Sequence, residues 1–325
     1  MNLCLARRTF IAVAATATLA FAASAHAAWP DRPIKIVVPS AAGGSPDILT
    51  RIFSNELGKR LGQGVVVENR PGAGGSIGMQ AVMTANPDGY TLGYGNNATL
   101  ATNEFLFSKL PYDPAKLVPI IALSSTGSLL VVNKDLPIQN VQELIRYVKH
   151  NPEKSSFASG GTGTTSHLGA EMFKTMTGIG SMHIPYKGAP QAINDLMGGS
   201  VQFLFDNIAS VAPAVNGGKL RAIAVTSKER SAQFPNVPTL NESGVPGFEM
   251  RAWGALVAPP GTPAEIVNRI NLEINAILKD EKILAQFEQL AFSPIGGTPQ
   301  DLRRLVESER VKWGEVVRKS GAKVD

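Results

Sequence analysis

The chain has 325 residues, of which 44% are hydrophobic and 18% charged, with a formal net charge of +5 at pH 7 and one cysteine, Cys4. Lysine and arginine form no run and do not alternate with aromatic residues, so the sequence lacks the basic footprint of a nucleic-acid-binding protein, and we expect no such partner. The single N-terminal cysteine excludes disulfides and zinc-thiolate sites from the rest of the chain.

The N-terminus has the pattern of a secretory signal peptide. Arg7-Arg8 precedes an uncharged, mostly apolar stretch over residues 9–23, and Ala25-His26-Ala27 supplies the small residues of a cleavage site. That stretch is shorter than the roughly 20 residues that a membrane-spanning helix needs. We therefore predict that residues 1–27 are a cleaved signal peptide and that the protein is periplasmic. The loss of two arginines and no acidic residue would lower the net charge from +5 to +3.

Short β-branched runs alternate with helical stretches along the rest of the chain. A mature chain of roughly 300 residues exceeds what one hydrophobic core usually serves, which favours two domains. The alternation is typical of βαβ units and predicts an α/β fold. Strands are predicted over residues 34–38, 65–68, 91–94, 129–133, 156–159, 182–186, 201–205, 220–226 and 254–257, and the apolar run 118–123 has the length of a strand.

Three helix starts are legible in the sequence. Ser45-Pro46-Asp47 combines a capping serine, a first-turn proline and an acid that matches the helix dipole. Thr262-Pro263-Ala264-Glu265 fits a capping box, and Thr298-Pro299 with Asp301 repeats the cap, the proline and the acid. The last two starts predict a helix-rich C-terminal segment.

Glycine-rich loops follow four of the predicted strands, over residues 41–45, 72–76, 159–165 and 187–190. A helix start leaves several backbone amides without internal partners and carries a partial positive charge, so it attracts carboxylate or phosphate. In open α/β sheets, ligands bind outside the carboxyl ends of the strands, where such loops lie. Any one of the loops fits a plain turn or cap. The four together favour a site for a small anion.

Catalytic and nucleotide-binding patterns are weaker. The glycines fit neither the Walker pattern nor the dinucleotide fingerprint. The segment 74–78 fits the nucleophile-elbow pattern around Ser76, but five residues separate it from the preceding predicted strand. His150 and His183 fit structural positions, and His167 fits a helix start. We predict a binding protein and not an enzyme, with no cofactor and no metal, and a secreted serine hydrolase built on Ser76 is the alternative.

Two polar residues at strand ends have an open role. Asp206 follows the strand predicted over residues 201–205, and it is either a helix cap or an acid in a cleft that could accept a hydrogen bond from a ligand ammonium group. Asn96 offers amide donors but fits a turn equally well.

Short motifs in a distinctive order are spread over the chain after residue 28. They are Trp29-Pro30 with Arg32-Pro33-Ile34, Val38-Pro39 before Ala41-Ala42-Gly43-Gly44-Ser45, Val67-Glu68-Asn69-Arg70-Pro71-Gly72-Ala73-Gly74-Gly75, Pro87-Asp88-Gly89-Tyr90-Thr91, Ser159 to Thr165, Tyr186-Lys187-Gly188, Pro238-Thr239, and Ala258-Pro259-Pro260-Gly261-Thr262-Pro263. Together they resemble the Bug, or TctC-like, solute receptors of tripartite tricarboxylate transporters. Ser40 departs from the aromatic residue usual there, and Asn96-Asn97 replaces a serine-rich loop, so the resemblance leaves the ligand open.

The resemblance implies a two-lobed, type II-like periplasmic-binding-protein fold, with a mixed, mostly parallel sheet flanked by helices in each lobe and a hinge between them. It implies a first lobe over residues 28–128 and 249–325 and a second over 129–248. In the family, main-chain groups of the first glycine-rich loop hold a ligand carboxylate, partly through ordered water, and the Ser/Thr-rich loop completes the site. The ligand-binding residues implied here are Ser40, Ala41, Ala42, Gly43, Gly44, Ser45, Asp47, Asn96, Ser159, Gly160, Gly161, Thr162, Gly163, Thr164, Thr165, Tyr186 and Asp206.

The implied function is the capture of a small carboxylate, which could be a dicarboxylate, a tricarboxylate, an aromatic acid or an amino acid. The implied partners are the membrane permease subunits of a tripartite tricarboxylate transporter, and we expect a monomer. A sensor of the same fold that signals to a membrane kinase is an alternative, because the two differ only in their partner.

Overall fold

The computed structural model describes residues 29–324, without the side chains of residues 319 and 320, so the predicted signal peptide lies outside the described residues. The strands are β1 (Ile34–Val38), β2 (Val65–Asn69), β3 (Thr91–Asn96), β4 (Val118–Asn133), β5 (Ser156–Ser159), β6 (Met182–Pro185), β7 (Phe203–Asn207), β8 (Leu220–Val225), β9 (Arg251–Ala258) and β10 (Phe292–Gly296). The α-helices are α1 (Ser45–Leu61), α2 (Ser76–Met83), α3 (Asn103–Leu106), α4 (Val141–His150), α5 (Thr165–Thr177), α6 (Ala189–Met197), α7 (Ile208–Asn216), α8 (Ala264–Ile277), α9 (Glu281–Gln289) and α10 (Pro299–Ser320).

The long strand β4 takes part in two sheets. Its first part, up to Gly127, pairs with β9 and β10, and its second part, from Ser128, pairs with β7 and β8. The first sheet has the order β2-β1-β3-β9-β4, and the second has the order β4-β7-β5-β6. Parallel pairs form the outer part of each sheet, and antiparallel pairs surround β4 and β9. Each sheet with its helices is a lobe, which confirms the predicted two-lobed α/β fold. The sheets are mixed as predicted but not mostly parallel, because β4 and β9 form antiparallel pairs with their neighbours.

Two chain crossings between the sheets lie side by side in the described residues. One is β4 at Gly127–Ser128, and the other immediately precedes β9 at Met250. Thr226 links them, because its N–H donates to the Ser128 carbonyl at 2.9 Å and its hydroxyl donates to the Met250 carbonyl at 2.9 Å. The lobe boundaries predicted after residues 128 and 248 stay a prediction.

Apolar helix faces cover both sheets. In the first lobe, Leu49 and Phe53 of α1 and Ile270 of α8 pack with the strands in one buried cluster. In the second lobe, Phe157 and Phe203 belong to a cluster that continues into the first lobe. Helix α10 packs against β4 and α5, so it contacts both lobes. Within residues 29–324, no helix is both long enough and apolar enough to cross a membrane.

Most predicted strands are present, and two differences have a physical reason. The strands predicted over 34–38 and 156–159 are confirmed with the same bounds. The runs 118–123 and 129–133 belong to one strand, because the polar residues between them continue the pairing of β4 with β9. Strand β10 was not predicted because its sequence contains Pro294, which is tolerated where β10 pairs only with β4.

One of the three predicted helix caps is confirmed. The Thr298 hydroxyl accepts from the Asp301 N–H at 3.2 Å, and the Asp301 carboxylate accepts from the Thr298 N–H at 2.8 Å. Ser45 is not a cap but the first helical residue, after an N-cap at Gly44. Thr262 also does not cap α8, because its hydroxyl donates to the Pro259 carbonyl at 2.8 Å within the preceding turn.

Candidate ligand-binding site

A cavity of about 250 Å³ lies between the two lobes. The carboxyl ends of β3 and β7, the loop after β5 and the end of β6 all reach it, as expected for a ligand site in an α/β protein. The residues that line it are Pro39, Ser40, Ala41, Gly44, Ser45, Pro46, Gly72, Ala73, Gly74, Gly75, Asn96, Ala98, Gly160, Gly161, Thr162, Thr164, Thr165, Ser166, Pro185, Tyr186, Lys187, Gly188, Ala189, Asp206, Asn207, Ser210 and Val324.

Five α-helices begin at this cavity. Helices α1, α5 and α6 line it with their first residues, Ser45, Thr165 and Ala189, and α2 and α7 line it with their N-cap residues, Gly75 and Asn207. Each helix start carries unpaired amides and roughly half a positive charge. The cavity is therefore suited to an anion without a cluster of basic side chains.

Asp47 lies behind the first glycine-rich loop and orders it. Its carboxylate accepts hydrogen bonds from the Gly43 N–H at 2.9 Å, Asn69 Nδ2 at 3.0 Å and Arg51 Nε at 3.0 Å. Burial alone would raise the pKa of Asp47, but these hydrogen bonds and the Arg51 charge outweigh burial and hold the pKa below its ordinary value. Asn69 also donates to the Ser40 carbonyl at 3.1 Å. Asp47 is a positioning residue and does not line the cavity.

Internal hydrogen bonds hold the second-lobe loop over residues 159–165. Thr164 caps α5, since its hydroxyl accepts from the His167 N–H at 3.4 Å and donates to the Gly161 carbonyl at 2.6 Å. Ser159 Oγ accepts from the Gly161 N–H at 3.1 Å and lies 2.6 Å from His183 Nε2. The loop is therefore positioned before any ligand arrives.

Two stacked histidines support that loop. The rings of His167 and His183 lie 4.0 Å apart between centroids, and Phe157 stacks on His183 at 4.8 Å. His167 Nδ1 accepts from the Gly163 N–H at 3.2 Å. Burial lowers the pKa of His167 to about 3 and that of His183 to about 4, and nearby positive charge adds to both shifts. Both rings are neutral at pH 7, and neither lines the cavity, which agrees with a structural role.

Asp206 stands at the end of β7 and lines the cavity, although it is only 6% exposed. Its Oδ1 accepts from the Asn207 N–H at 2.7 Å, and the Ser210 side chain also hydrogen-bonds to it. Burial raises the pKa of Asp206 to about 7, although both hydrogen bonds act in the opposite direction. No basic side chain of the described residues pairs with it. Its side chain does not cap α7, whose N-cap is Asn207.

Three further polar side chains complete the wall. The Ser40 hydroxyl is buried and has no hydrogen-bond partner within residues 29–324. Tyr186 donates its hydroxyl to Asp195 at 2.6 Å, and burial together with Asp195 raises the pKa of Tyr186 to about 12. Lys187 is exposed and is the one basic side chain among the described lining residues.

Asn96 serves the turn after β3. Its Oδ1 accepts from the Thr99 N–H at 3.1 Å, and its own N–H donates to the Thr99 hydroxyl at 3.0 Å. Asn96 therefore stabilises a turn, as one interpretation predicted, and it also lines the cavity.

The two lobes touch around the cavity. The Ser45 N–H donates to the Ser210 hydroxyl at 2.9 Å, and the Thr102 hydroxyl donates to the Gly163 carbonyl at 3.1 Å. Gly188 approaches the first loop so closely that a Cβ there would lie 2.5 Å from the Cβ of Ala41. The structure is therefore a closed arrangement of the lobes.

Ser76 does not have the environment of a nucleophile. It begins α2 after a 3₁₀ turn over Ala73–Gly75 and is 1% exposed. Its hydroxyl accepts from Asn103 Nδ2 at 3.3 Å. No hydrogen bond among the described residues joins it to a histidine, and residues 29–324 contain no group of three potential metal ligands.

The predicted ligand-binding residues fall into two sets. The twelve that line the cavity are Ser40, Ala41, Gly44, Ser45, Asn96, Gly160, Gly161, Thr162, Thr164, Thr165, Tyr186 and Asp206. Five do not line the cavity, and these are Ala42, Gly43, Asp47, Ser159 and Gly163. Asp47, Ser159 and Gly163 form hydrogen bonds that hold the loops, whereas Ala42 and Gly43 are exposed to solvent. The role of all seventeen in ligand binding stays a prediction.

Sequence patterns alone missed several lining residues. The loops 72–76 and 187–190 were a usable signal, because both are glycine-rich and precede helices. Ser210 and Val324 carry no such signal. They reach the cavity through the packing of α7 and of the C-terminal segment, whose Val324 N–H donates to the Leu106 carbonyl at 3.0 Å.

Two α/β lobes that close over a cavity surrounded by helix N-termini are typical of solute-binding receptors. Comparisons with known proteins agree with this class. The family model described as the tripartite tricarboxylate transporter family receptor, TctC, matches residues 49–322. Protein BugT from Bordetella pertussis is 38% identical over 312 residues, covering 95% of each chain.

Two similar solved structures contain a bound acid. R. palustris Rpa4515 with adipate is 36% identical, with a TM-score of 0.89 over 91% of this chain and all (100%) of the other. MatC (Rpa3494) from Rhodopseudomonas palustris with bound malate is 32% identical, with a TM-score of 0.85 over 89% of this chain and 100% of the other. The chain belongs to the tripartite tricarboxylate transporter receptor family, which confirms the resemblance to Bug and TctC-like receptors.

Proposed function

We propose that this protein is an exported periplasmic receptor that captures a small carboxylate between its lobes and delivers it to the permease subunits of a tripartite tricarboxylate transporter. The observation that carries the proposal is the convergence of five helix starts on one cavity between the lobes. Adipate in Rpa4515 and malate in MatC support a carboxylate as the ligand class.

The wall can supply enough binding energy without a basic cluster. A hydrogen bond to a charged group contributes roughly 1.5 to 3 kcal/mol. Four or five such bonds from amides and from hydroxyls such as that of Thr162 would cover the roughly 8 kcal/mol of a micromolar complex after sizeable losses. Amides and hydroxyls of both lobes contribute only when the lobes are close, so the ligand favours the closed arrangement.

The proposed role includes no chemistry on the ligand. The titratable side chains among the described lining residues are Tyr186, Lys187 and Asp206. Tyr186 is bonded to Asp195, and Lys187 is exposed, so these residues do not form a nucleophile and base pair of the kind that covalent catalysis needs.

Thermal unfolding with a panel of mono-, di- and tricarboxylates, aromatic acids and amino acids tests ligand capture. An acid at 100 times its Kd stabilises the protein by about 2.7 kcal/mol. Gly160 lines the cavity, whereas a Cβ added at Gly180 would meet no atom within 4 Å. Gly160→Leu should therefore abolish the shift, and Gly180→Leu should keep it. No shift with any acid would refute the proposal.

Delivery and export need separate measurements. Uptake of the labelled acid into membrane vesicles that contain the permease should require the receptor, and uptake without it would refute delivery. The N-terminal sequence of the protein from the periplasmic fraction should begin at Ala28. An intact N-terminus in the cytoplasm would refute export.

A further inference from the structure

Asp206 is the one acidic side chain among the described residues that line the cavity. The helix starts around it favour negative charge in the ligand, but Asp206 in its ionised form would repel a carboxylate placed against it. The cavity therefore has one place that suits a different kind of ligand group.

The hydrogen-bonding capacity of Asp206 is only partly used. An ionised carboxylate can accept about four hydrogen bonds. Asp206 receives one from the Asn207 N–H and one from the Ser210 side chain, and no basic side chain of residues 29–324 pairs with it. Leaving a buried carboxylate with unused acceptor sites is costly. A ligand donor would remove that cost.

Asp47 shows what a fully partnered buried carboxylate looks like in this protein. Gly43, Asn69 and Arg51 all donate to Asp47, and Arg51 supplies the balancing charge. Asp206 is about as buried, at 6% exposure against 4% for Asp47, yet it faces the cavity and lacks a cation. Asp206 thus lacks a hydrogen-bond donor or cation that a bound ligand could supply.

We infer that Asp206 is the specificity-determining residue of the site and selects carboxylates that also carry a hydrogen-bond donor, a hydroxyl or an ammonium group. The inference rests on the proposed function and narrows its ligand class. The ligand carboxylates are held by the helix starts and glycine-rich loops, and the donor group hydrogen-bonds to Asp206. An ammonium group gains the additional attraction of opposite charge.

Succinate, malate and aspartate test this selection, because they share a four-carbon diacid skeleton and differ by no substituent, a hydroxyl or an ammonium group. Isothermal titration should give malate or aspartate an affinity at least about tenfold above that of succinate, as one hydrogen bond to a charged group predicts. In Asp206→Asn, the ratio should fall to about threefold or less, because the acceptor loses its charge. Asp135→Asn is the matched control, since Asp135 is an exposed carboxylate of the same lobe and is absent from the cavity wall.

Each other outcome has a defined meaning. Equal affinity for the three acids overturns the inference and leaves the proposed function in place. An unchanged preference in Asp206→Asn also overturns it. Failure of the whole acid panel to bind refutes the proposed function itself. If Asp206→Asn does not fold, the ranking of the three acids by the unaltered protein still decides between selection and no selection.

Discussion

The two walls of the cavity contain two buried aspartates with opposite electrostatics. In the first lobe, Asp47 receives hydrogen bonds from a backbone amide, an asparagine and an arginine, and its pKa lies below the ordinary value. In the second lobe, Asp206 has the Asn207 amide and the Ser210 side chain, and burial raises its pKa to about 7. Both side chains have little exposed surface, but Asp206 is more strongly desolvated and has fewer donors, and both differences raise its pKa relative to that of Asp47.

The comparison separates positioning from recognition. A carboxylate whose donors all come from the protein is already satisfied and holds a loop in place, as Asp47 does for the loop at Gly43. A carboxylate that faces a cavity with unused acceptor sites is available to a ligand, as Asp206 is. Solvent exposure alone would have assigned both residues the same role.

Removal of Asp47 should have the largest effect on stability. Asp47→Ala leaves Arg51, Asn69 and the Gly43 N–H without their acceptor, which should lower the free energy of unfolding by about 3 kcal/mol at pH 7. Urea unfolding measures this loss, with Asp135→Ala as an exposed control. A loss as small as that of the control would mean that Asp47 does not order the loop.

Asp206→Asn should change stability in the opposite direction and raise the free energy of unfolding at high pH. The pKa of Asp206 is about 7 in the folded protein against an ordinary value of 3.8, so the folded state holds a proton that the unfolded state has released between these values. The unaltered, ligand-free protein therefore loses stability as the pH rises from about 4 through 7. At pH 8, Asp206→Asn should be more stable by about 2 kcal/mol, at roughly 1.4 kcal/mol per pKa unit with allowance for solvent relaxation.

Urea unfolding of Asp206→Asn and the unaltered protein at pH 4.5 and pH 8 checks the sign. The advantage of the variant should fall to roughly a quarter at the lower pH, which lies well below the folded pKa and only slightly above the ordinary value of 3.8. An advantage that is equal at both pH values would show that charge burial is not its cause.

Gly188→Ala probes the contact between the two walls. The new Cβ would lie 2.5 Å from the Cβ of Ala41 in the opposite lobe, while the extended backbone of Gly188 accepts any residue. Closure should be hindered and ligand affinity should fall by about tenfold, since only the closed form binds tightly. The unfolding temperature without ligand should not change. Gly180→Ala, which has open space around its Cβ, should keep the affinity, and an equal loss in both variants would contradict the closure argument.

The stacked histidines in the second lobe should add their own pH dependence to stability. Their pKa values of about 3 and about 4 lie below the ordinary value of 6.5, so their contribution to stability is complete above pH 6.5 and is lost as the pH falls towards 4. This trend opposes that of Asp206. In Asp206→Asn the unfolding temperature should therefore fall more steeply between pH 7 and pH 5 than in the unaltered protein. Parallel curves of unfolding temperature against pH for the two proteins would show that Asp206 does not contribute a pH dependence of its own.

The sequence was sufficient for elements with a strong local pattern. The β-branched run Ile34–Val38 and the helix cap at Thr298 have the predicted form because neighbouring residues specify them. The continuity of β4 was hidden, because its middle residues are polar where the strand passes between the lobes. The cap at Ser45 was wrong, because Gly44 adopts the extended conformation that precedes the helix.

The parts of the site that are glycine-rich loops could be predicted from the sequence. Glycine-rich segments after strands pointed to the two main walls, and the loop over residues 159–165 lines the cavity through most of its length. The distinction between Asp47 and Asp206 was not predictable, because it depends on the distant Asn69, which donates to Asp47, and on the position of Asp206 in the cavity wall. Side-chain partners of that kind are set by tertiary packing.

The position of β9 has a consequence for the order in which the chain can assemble during synthesis. β9 lies between β3 and the first part of β4 and pairs antiparallel with both. The first part of β4 also pairs with β10. Neither of its edges can form backbone hydrogen bonds with a neighbouring strand until residues 251–258 and 292–296 have been synthesised. The second sheet is complete before then, because β8 ends at Val225. The lobe that begins first on the ribosome is therefore the lobe that finishes last.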